Sequence, residues 1–213
     1  VLDLHDWTAP NSPAPEWRTA VYRPPFSPEL IERLRLVSDD WLSDQGREET
    51  RFAHGWFSRA YISQGVLATL SAAGQDILAF AHAVPIYESG ELAVTLMRHR
   101  RKLTAVARRQ LVLSLAAWAK NEGYGRLNLG LHALPPHLNG DSQARDRVAQ
   151  VIYKAVEPPI LDSDWPELTQ DFSFQTAPRF LVYPGSASLP AVWSALARAS
   201  GGSVWSQWSH IFS

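Results

Sequence analysis

Arg98, His99, Arg100, Arg101 and Lys102 form an unbroken run, with Arg108 and Arg109 close behind. Guanidinium forks grip phosphate or carboxylate through paired hydrogen bonds, and a histidine near neutrality can take a proton from a hydroxyl or amine. The run precedes an apolar stretch with helical spacing. Cations in an opening helical turn oppose the helix dipole unless an anion is bound there, and the free amides of that turn are themselves anion donors. This pattern points to a phosphate-bearing ligand or RNA. The competing reading is a solvated basic face paired with the chain's own carboxylates, for example those of 157–171. His82, His132 and His137 map to strands or loops of the same central unit, and each taken singly reads as a structural, hydrogen-bonded histidine. No metal-ligand spacing such as HxxxH occurs and the chain has no cysteine, so zinc, thiol nucleophiles and disulfides are set aside. Glu88 and Glu91 flank a turn and read as solvation. Asp39, Asp40 and Asp44 read as helix surface, and Trp56, Phe57 and Tyr61 as core in preference to a lipid-facing groove.

Elements must hold these residues. The 213-residue chain is 46% hydrophobic and 11% aromatic, enough for a packed core. A net charge of −1 means that attraction to nucleic acid or anionic lipid must be local. No apolar run approaches the roughly 20 residues of a membrane span. Residues 1–24, rich in proline, read as an extended arm with at most one strand at 19–22. Ser27, Pro28 and Glu29 open a helix whose apolar face is Leu30, Leu34, Val37 and Trp41, with Gly46 as its stop. A short helix is expected at 57–63. Val66–Leu70, Ile77–Tyr87 and Leu92–Met97 predict an antiparallel meander with turns at 73–75 and Ser89-Gly90. A helix follows at about 104–122, with Gly123 in the C′ position, then a short central strand at 127–131. Beyond it lie a helix at 142–155, an acidic proline-marked loop at 157–171, a strand at 180–183 and a helix at 189–200. The Trp-rich tail, 201–213, docks on the body or meets a partner.

This order resembles a GNAT-like acyltransferase fold: α/β, a mixed, mostly antiparallel sheet flanked by helices. The segments PFSPELIERLRLVSDDWL (25–42), AFAHAVPIYESGELAVTLMRHR (79–100), LAAWAKNEGYGRLNLGL (115–131) and RFLVYPG (179–185) are more specific. They resemble the C-terminal catalytic domain of bacterial aminoacyl-phosphatidylglycerol synthases, the phosphatidylglycerol lysyltransferase family. The likeness is nearly continuous over 25–200, as the second half of a tandem GNAT pair.

The resemblance implies an aminoacyltransferase that moves an amino acid from aminoacyl-tRNA to phosphatidylglycerol or a related hydroxyl or amine acceptor, a lipid modification tied to antimicrobial peptide resistance. It implies no metal and no cofactor. By the same resemblance Arg98 and His99 are catalytic, Thr95, Arg100, His132 and Tyr183 line the substrate site, and Arg101, Lys102, Arg108 and Arg109 hold tRNA or an acceptor phosphate. The expected partners are aminoacyl-tRNA, a phospholipid or small-molecule acceptor, and a second GNAT half or a membrane domain in a longer protein. The expected location is cytoplasmic, at the inner membrane face through such a domain. The chain departs from the family pattern at three places: Thr95 stands where an Asp is usual, Thr169 and Asp171 fall on two lysines, and Pro136 or His137 on an acidic residue. These departures leave open a catalytically degenerate half that binds a partner or lipid. An acyl-CoA-dependent N-acetyltransferase is the weaker alternative, because RRKLTA lacks the glycines that let a backbone approach a pyrophosphate.

Overall fold

The computed structural model describes residues 1–9, 17–45, 49, 56–72, 76–100 and 103–130, with single positions at 175, 184, 191, 192, 194 and 195. The chain divides into two compact units. One comprises Val1–Glu49, Trp56–Gly130 and Pro159–Thr176; the other comprises Thr50–Gly55, Leu131–Pro158 and Ala177–Ser213. In the second unit, residues 191, 192, 194 and 195 are helical, within the helix expected at 189–200. The strand expected at 180–183, the helix at 142–155, the loop at 157–171 and the Trp-rich tail lie outside the described residues.

The first unit holds a six-stranded sheet in the order β1-β6-β5-β4-β3-β2. The strands are β1 (Leu2–Asp3), β2 (Trp17–Tyr22), β3 (Val66–Ala72), β4 (Ile77–Ile86), β5 (Glu91–His99) and β6 (Arg126–Asn128). β2 to β5 pair antiparallel, as the meander predicts, and β5 pairs parallel with β6. That parallel step needs a crossover, supplied by helix α3 (Ala105–Asn121). The N-terminal stretch contributes two strands where the sequence suggests at most one. β1 is only two residues long, too short for alternation to reveal, yet it pairs antiparallel with β6 through Leu2↔Leu127.

Helix α1 (Pro28–Gln45) starts where Ser27 Oγ accepts the Leu30 amide at 3.2 Å. α2 (Arg59–Ile62) is capped by Ser58. α1 and α2 cover one face of the sheet, where Ile31, Leu34, Val37 and Ile62 pack on Leu67, Ile77, Phe80 and Leu96. α3 covers the other, where Ala107, Leu111, Leu115 and Ala119 meet Ala68, Ala81, Leu92, Val94 and Met97. The alanines of β3 and β4 leave room for that helix to lie close. Gly123 ends it at φ 87°, a left-handed C′ position that glycine adopts without a Cβ clash. The architecture is thus α/β and GNAT-like: a meander, a crossover helix and a parallel return strand, with helices on both faces.

Candidate active site

Two features of β5 build the site. The first is its pairing with β6, which stops at Ala93↔Asn128. Beyond that point β5 continues through Val94 to His99, and among the described residues none pairs with it on that edge. Asn128, the last paired residue of β6, accepts the Gly130 amide through Oδ1 at 3.0 Å, with Gly130 at φ 93°.

The second is a β-bulge. His82 pairs with Leu96 and Ala83 with Val94, so Thr95 is an extra residue with no partner on β4. A bulge re-aims the side chains that follow it. Leu92 and Val94 face α3; past the bulge Met97 takes that side, while Leu96 and Arg98 turn towards α1. The local alternation break, Leu96 beside Met97, is the one sequence signal that could have revealed it.

Because of this switch, the basic run does not form one patch. Arg98 is buried, 4% exposed. Its Nη1 donates to Ser38 Oγ and to Glu49 Oε2 (2.8 Å), its Nη2 donates to Glu49 Oε1 (2.5 Å), and the guanidinium lies 5.1 Å from the centroid of Trp41. Glu49 also accepts the Phe57 amide at 3.0 Å. A paired carboxylate is what lets a guanidinium sit in so dry a place. Arg100 turns the same way and meets Asp40 at 3.3 Å. His99 lies half-buried, and its Nδ1 donates to the Arg100 carbonyl at 3.2 Å. The carboxylates that meet Arg98 and Arg100 come from α1 and from Glu49. Asp40, read from the sequence as bare helix surface, is one of them.

After β5 the chain turns through Leu103, and Thr104 caps α3 by accepting the Ala107 amide at 3.2 Å. α3 carries no acidic residue in its first turn. Arg108 folds back so that Nη1 donates to the Leu103 carbonyl at 2.5 Å, and Arg109 lies beside it, half-buried. Both sit one turn into the helix. Arg101, Lys102, His132, His137, Pro136, Thr169, Asp171 and Tyr183 lie outside the described residues.

Sequence reasoning placed Thr95 in the site but passed over its partner. Thr95 Oγ1 is 2.8 Å from Nδ1 of His82, a fully buried histidine of β4. Burial lowers the His82 pKa to about 4, so the ring is neutral near pH 7; the backbone carbonyl of Ile62 opposes this shift. Tyr61 lies 5.1 Å from the imidazole, ring to ring, and stacks in turn on Trp56 at 4.8 Å. Among the described residues no cluster of three or more His, Asp or Glu side chains could hold a metal ion, and no helix is long and apolar enough to cross a membrane.

The family model "Phosphatidylglycerol lysyltransferase, C-terminal" matches residues 16–168, which contain five of the six strands and all three helices described above. A phosphatidylglycerol lysyltransferase of Staphylococcus xylosus is 30% identical over 175 residues, covering 79% of this chain and 20% of that protein. The Bacillus subtilis enzyme of the same name is 34% identical over 119 residues, 56% of this chain and 14% of that one. The chain thus spans about a fifth or less of the length of these relatives. The solved structure of L-PGS from Bacillus licheniformis is 30% identical, covers 73% of this chain and 50% of that one, and superposes with a TM-score of 0.60. The C-terminal domain of a protein described as a lysylphosphatidylglycerol synthetase from Agrobacterium fabrum, 20% identical, shares the fold over 95% of this chain and 65% of that one, with a TM-score of 0.70. This chain therefore belongs to the phosphatidylglycerol lysyltransferase C-terminal family.

Proposed function

We propose that this chain is the transferase part of an enzyme that moves an amino acid from aminoacyl-tRNA to phosphatidylglycerol or a closely related hydroxyl or amine acceptor. One observation carries the reading: the family match covers the strands and the helix that build the open β5 edge beside the α3 N-terminus. An aminoacyl ester is already activated, so catalysis consists mostly of holding acceptor and ester together and offering hydrogen bonds to the developing oxyanion. Thr95 and the free β5 edge receive the reacting groups. Of the residues implied by the resemblance, His99 acts on the reacting groups, Arg100, His132 and Tyr183 bind substrate, and Arg101, Lys102, Arg108 and Arg109 meet the phosphates of the tRNA 3′ end. Arg98 enters as a positioning residue, because Ser38 and Glu49 take both of its terminal nitrogens. A membrane-bound or second GNAT segment of a longer protein would bring the lipid to this edge.

The test is transfer of radiolabelled amino acid from a mixed aminoacyl-tRNA pool into vesicles containing phosphatidylglycerol. Label should enter the lipid fraction, and prior digestion of the RNA or omission of phosphatidylglycerol should abolish it. Unlabelled lipid in the complete mixture overturns the reading. A second reading, a non-catalytic half that binds a partner or lipid, is favoured by one feature: Thr95 is neutral where the family pattern has a carboxylate. It predicts vesicle binding without transfer. A thermal shift with acetyl-CoA and none with RNA would point instead to the N-acetyltransferase alternative.

A further inference from the structure

His82 has no part in the sheet's hydrogen-bond ladder through its ring, yet its surroundings are built around that ring. The side chain is wholly buried on the α1 and α2 face of β4. Gly65 closes one side: a Cβ there would lie 2.6 Å from His82 Nε2 and 2.2 Å from the Ala83 carbonyl oxygen, so the position admits only glycine without displacing backbone. Tyr61 covers another side. The ring is thereby held with Nδ1 facing Thr95 Oγ1 at 2.8 Å. Nε2 makes no hydrogen bond of good geometry. In the tautomer with the proton on Nε2, Nδ1 carries the lone pair and the Thr95 hydroxyl donates to it. The other acceptor within reach of that hydroxyl, the His82 carbonyl at 3.4 Å, is distant and weak.

We infer that His82 is a positioning residue that locks the proton of the Thr95 hydroxyl, so that Thr95 presents only lone pairs at the β5 bulge and receives a hydrogen bond from the attacking hydroxyl of the acceptor. The inference rests on the aminoacyl-transfer reading above and adds which substrate the bulge grips. Thr95 is half-buried at the bulge and so is not enclosed in the core. A hydroxyl that offers only lone pairs calls for a donor on the ligand, and the acceptor's hydroxyl is one. A hydrogen bond to the acceptor orients its oxygen lone pair towards the ester carbonyl.

The experiment is steady-state transfer with the full chain, varying phosphatidylglycerol and aminoacyl-tRNA separately. Thr95→Val and His82→Leu should each lower kcat/KM for the acceptor by about tenfold, the value of one well-made hydrogen bond, and leave KM for aminoacyl-tRNA within twofold. Thr95→Ser should restore the wild-type value, and the double variant should be no worse than either single one. A loss that falls on the aminoacyl-tRNA KM, or a Thr95→Val enzyme as fast as wild type, overturns the inference. Folding is checked, and the acceptor contact read independently of turnover, from the Thr95 methyl resonance titrated with dihexanoyl phosphatidylglycerol. The resonance should move in the wild type and stay fixed in a folded His82→Leu protein. A wild type that transfers nothing but shows this shift refutes the transfer reading and keeps the acceptor site; no shift in the wild type removes the site itself.

Discussion

His82 gives a stability signature that is separate from catalysis. Its pKa falls from the ordinary 6.5 to about 4 because burial disfavours the imidazolium. The unfolded chain takes up the proton as pH drops below 6.5, while the folded chain resists until about 4. Its contribution is therefore complete above pH 6.5, declines as pH falls, and is gone below about 4. At 1.4 kcal/mol per pH unit the loss is about 3 kcal/mol. Urea unfolding at pH 7 and pH 4.5 should show a steeper fall in wild type than in His82→Leu; parallel falls would contradict the neutral, buried ring. Arg98 shows the complementary device, a buried cation paired with the Glu49 carboxylate and set over the Trp41 ring.

At the scale of elements, β5 does the decisive work through its bulge and its early parting from β6. The bulge sends Leu96 and Arg98 to the α1 face and Met97 to the α3 face, so one inserted residue decides which side of the sheet receives the guanidinium. α3 must then start close behind β5, and Thr104 sets that start. Thr104→Ala removes the acceptor for the Ala107 amide and should cost about 1 kcal/mol in chemical denaturation. Because the cap fixes the helix end next to the open edge, transfer activity should fall more than stability; an unchanged midpoint would mean that the cap is replaced by another acceptor.

At the scale of the whole first unit, N-terminal chain forms both outer strands of the sheet among the described residues. β2 pairs along β3 from Trp17↔Ala72 to Tyr22↔Leu67, while β1 covers β6. Leu2 and Leu4 are each only 1% exposed, the Leu4 amide donates to the Gly125 carbonyl at 2.9 Å, and Lys120 ties the same segment down through the His5 and Trp7 carbonyls. Leu4→Ala should lower stability by about 3 kcal/mol, since it removes a filled core position under α3 and β6. A thermal midpoint within a degree of wild type would show that β1 is dispensable.

Among the described residues, most elements were legible because period and punctuation agree. Ser27-Pro28-Glu29, Gly90 and Gly123 mark boundaries through backbone chemistry that acts within a few residues. The segments at 25–42, 79–100, 115–131 and 179–185 likewise carried the family in their order of residue types. The basic run illustrates the limit of such reading. Its charge is plain in the sequence, but which cations meet a ligand and which meet Ser38, Asp40 and Glu49 depends on strand pairing across α1, β4 and β5. Register shifts cost no change in composition, and a bulge leaves only two adjacent apolar residues as its trace. Thr95 could be singled out by resemblance. That His82 holds its hydroxyl, thirteen residues away on the neighbouring strand, was decided by the tertiary structure, because only the antiparallel register brings two such distant side chains within hydrogen-bond reach.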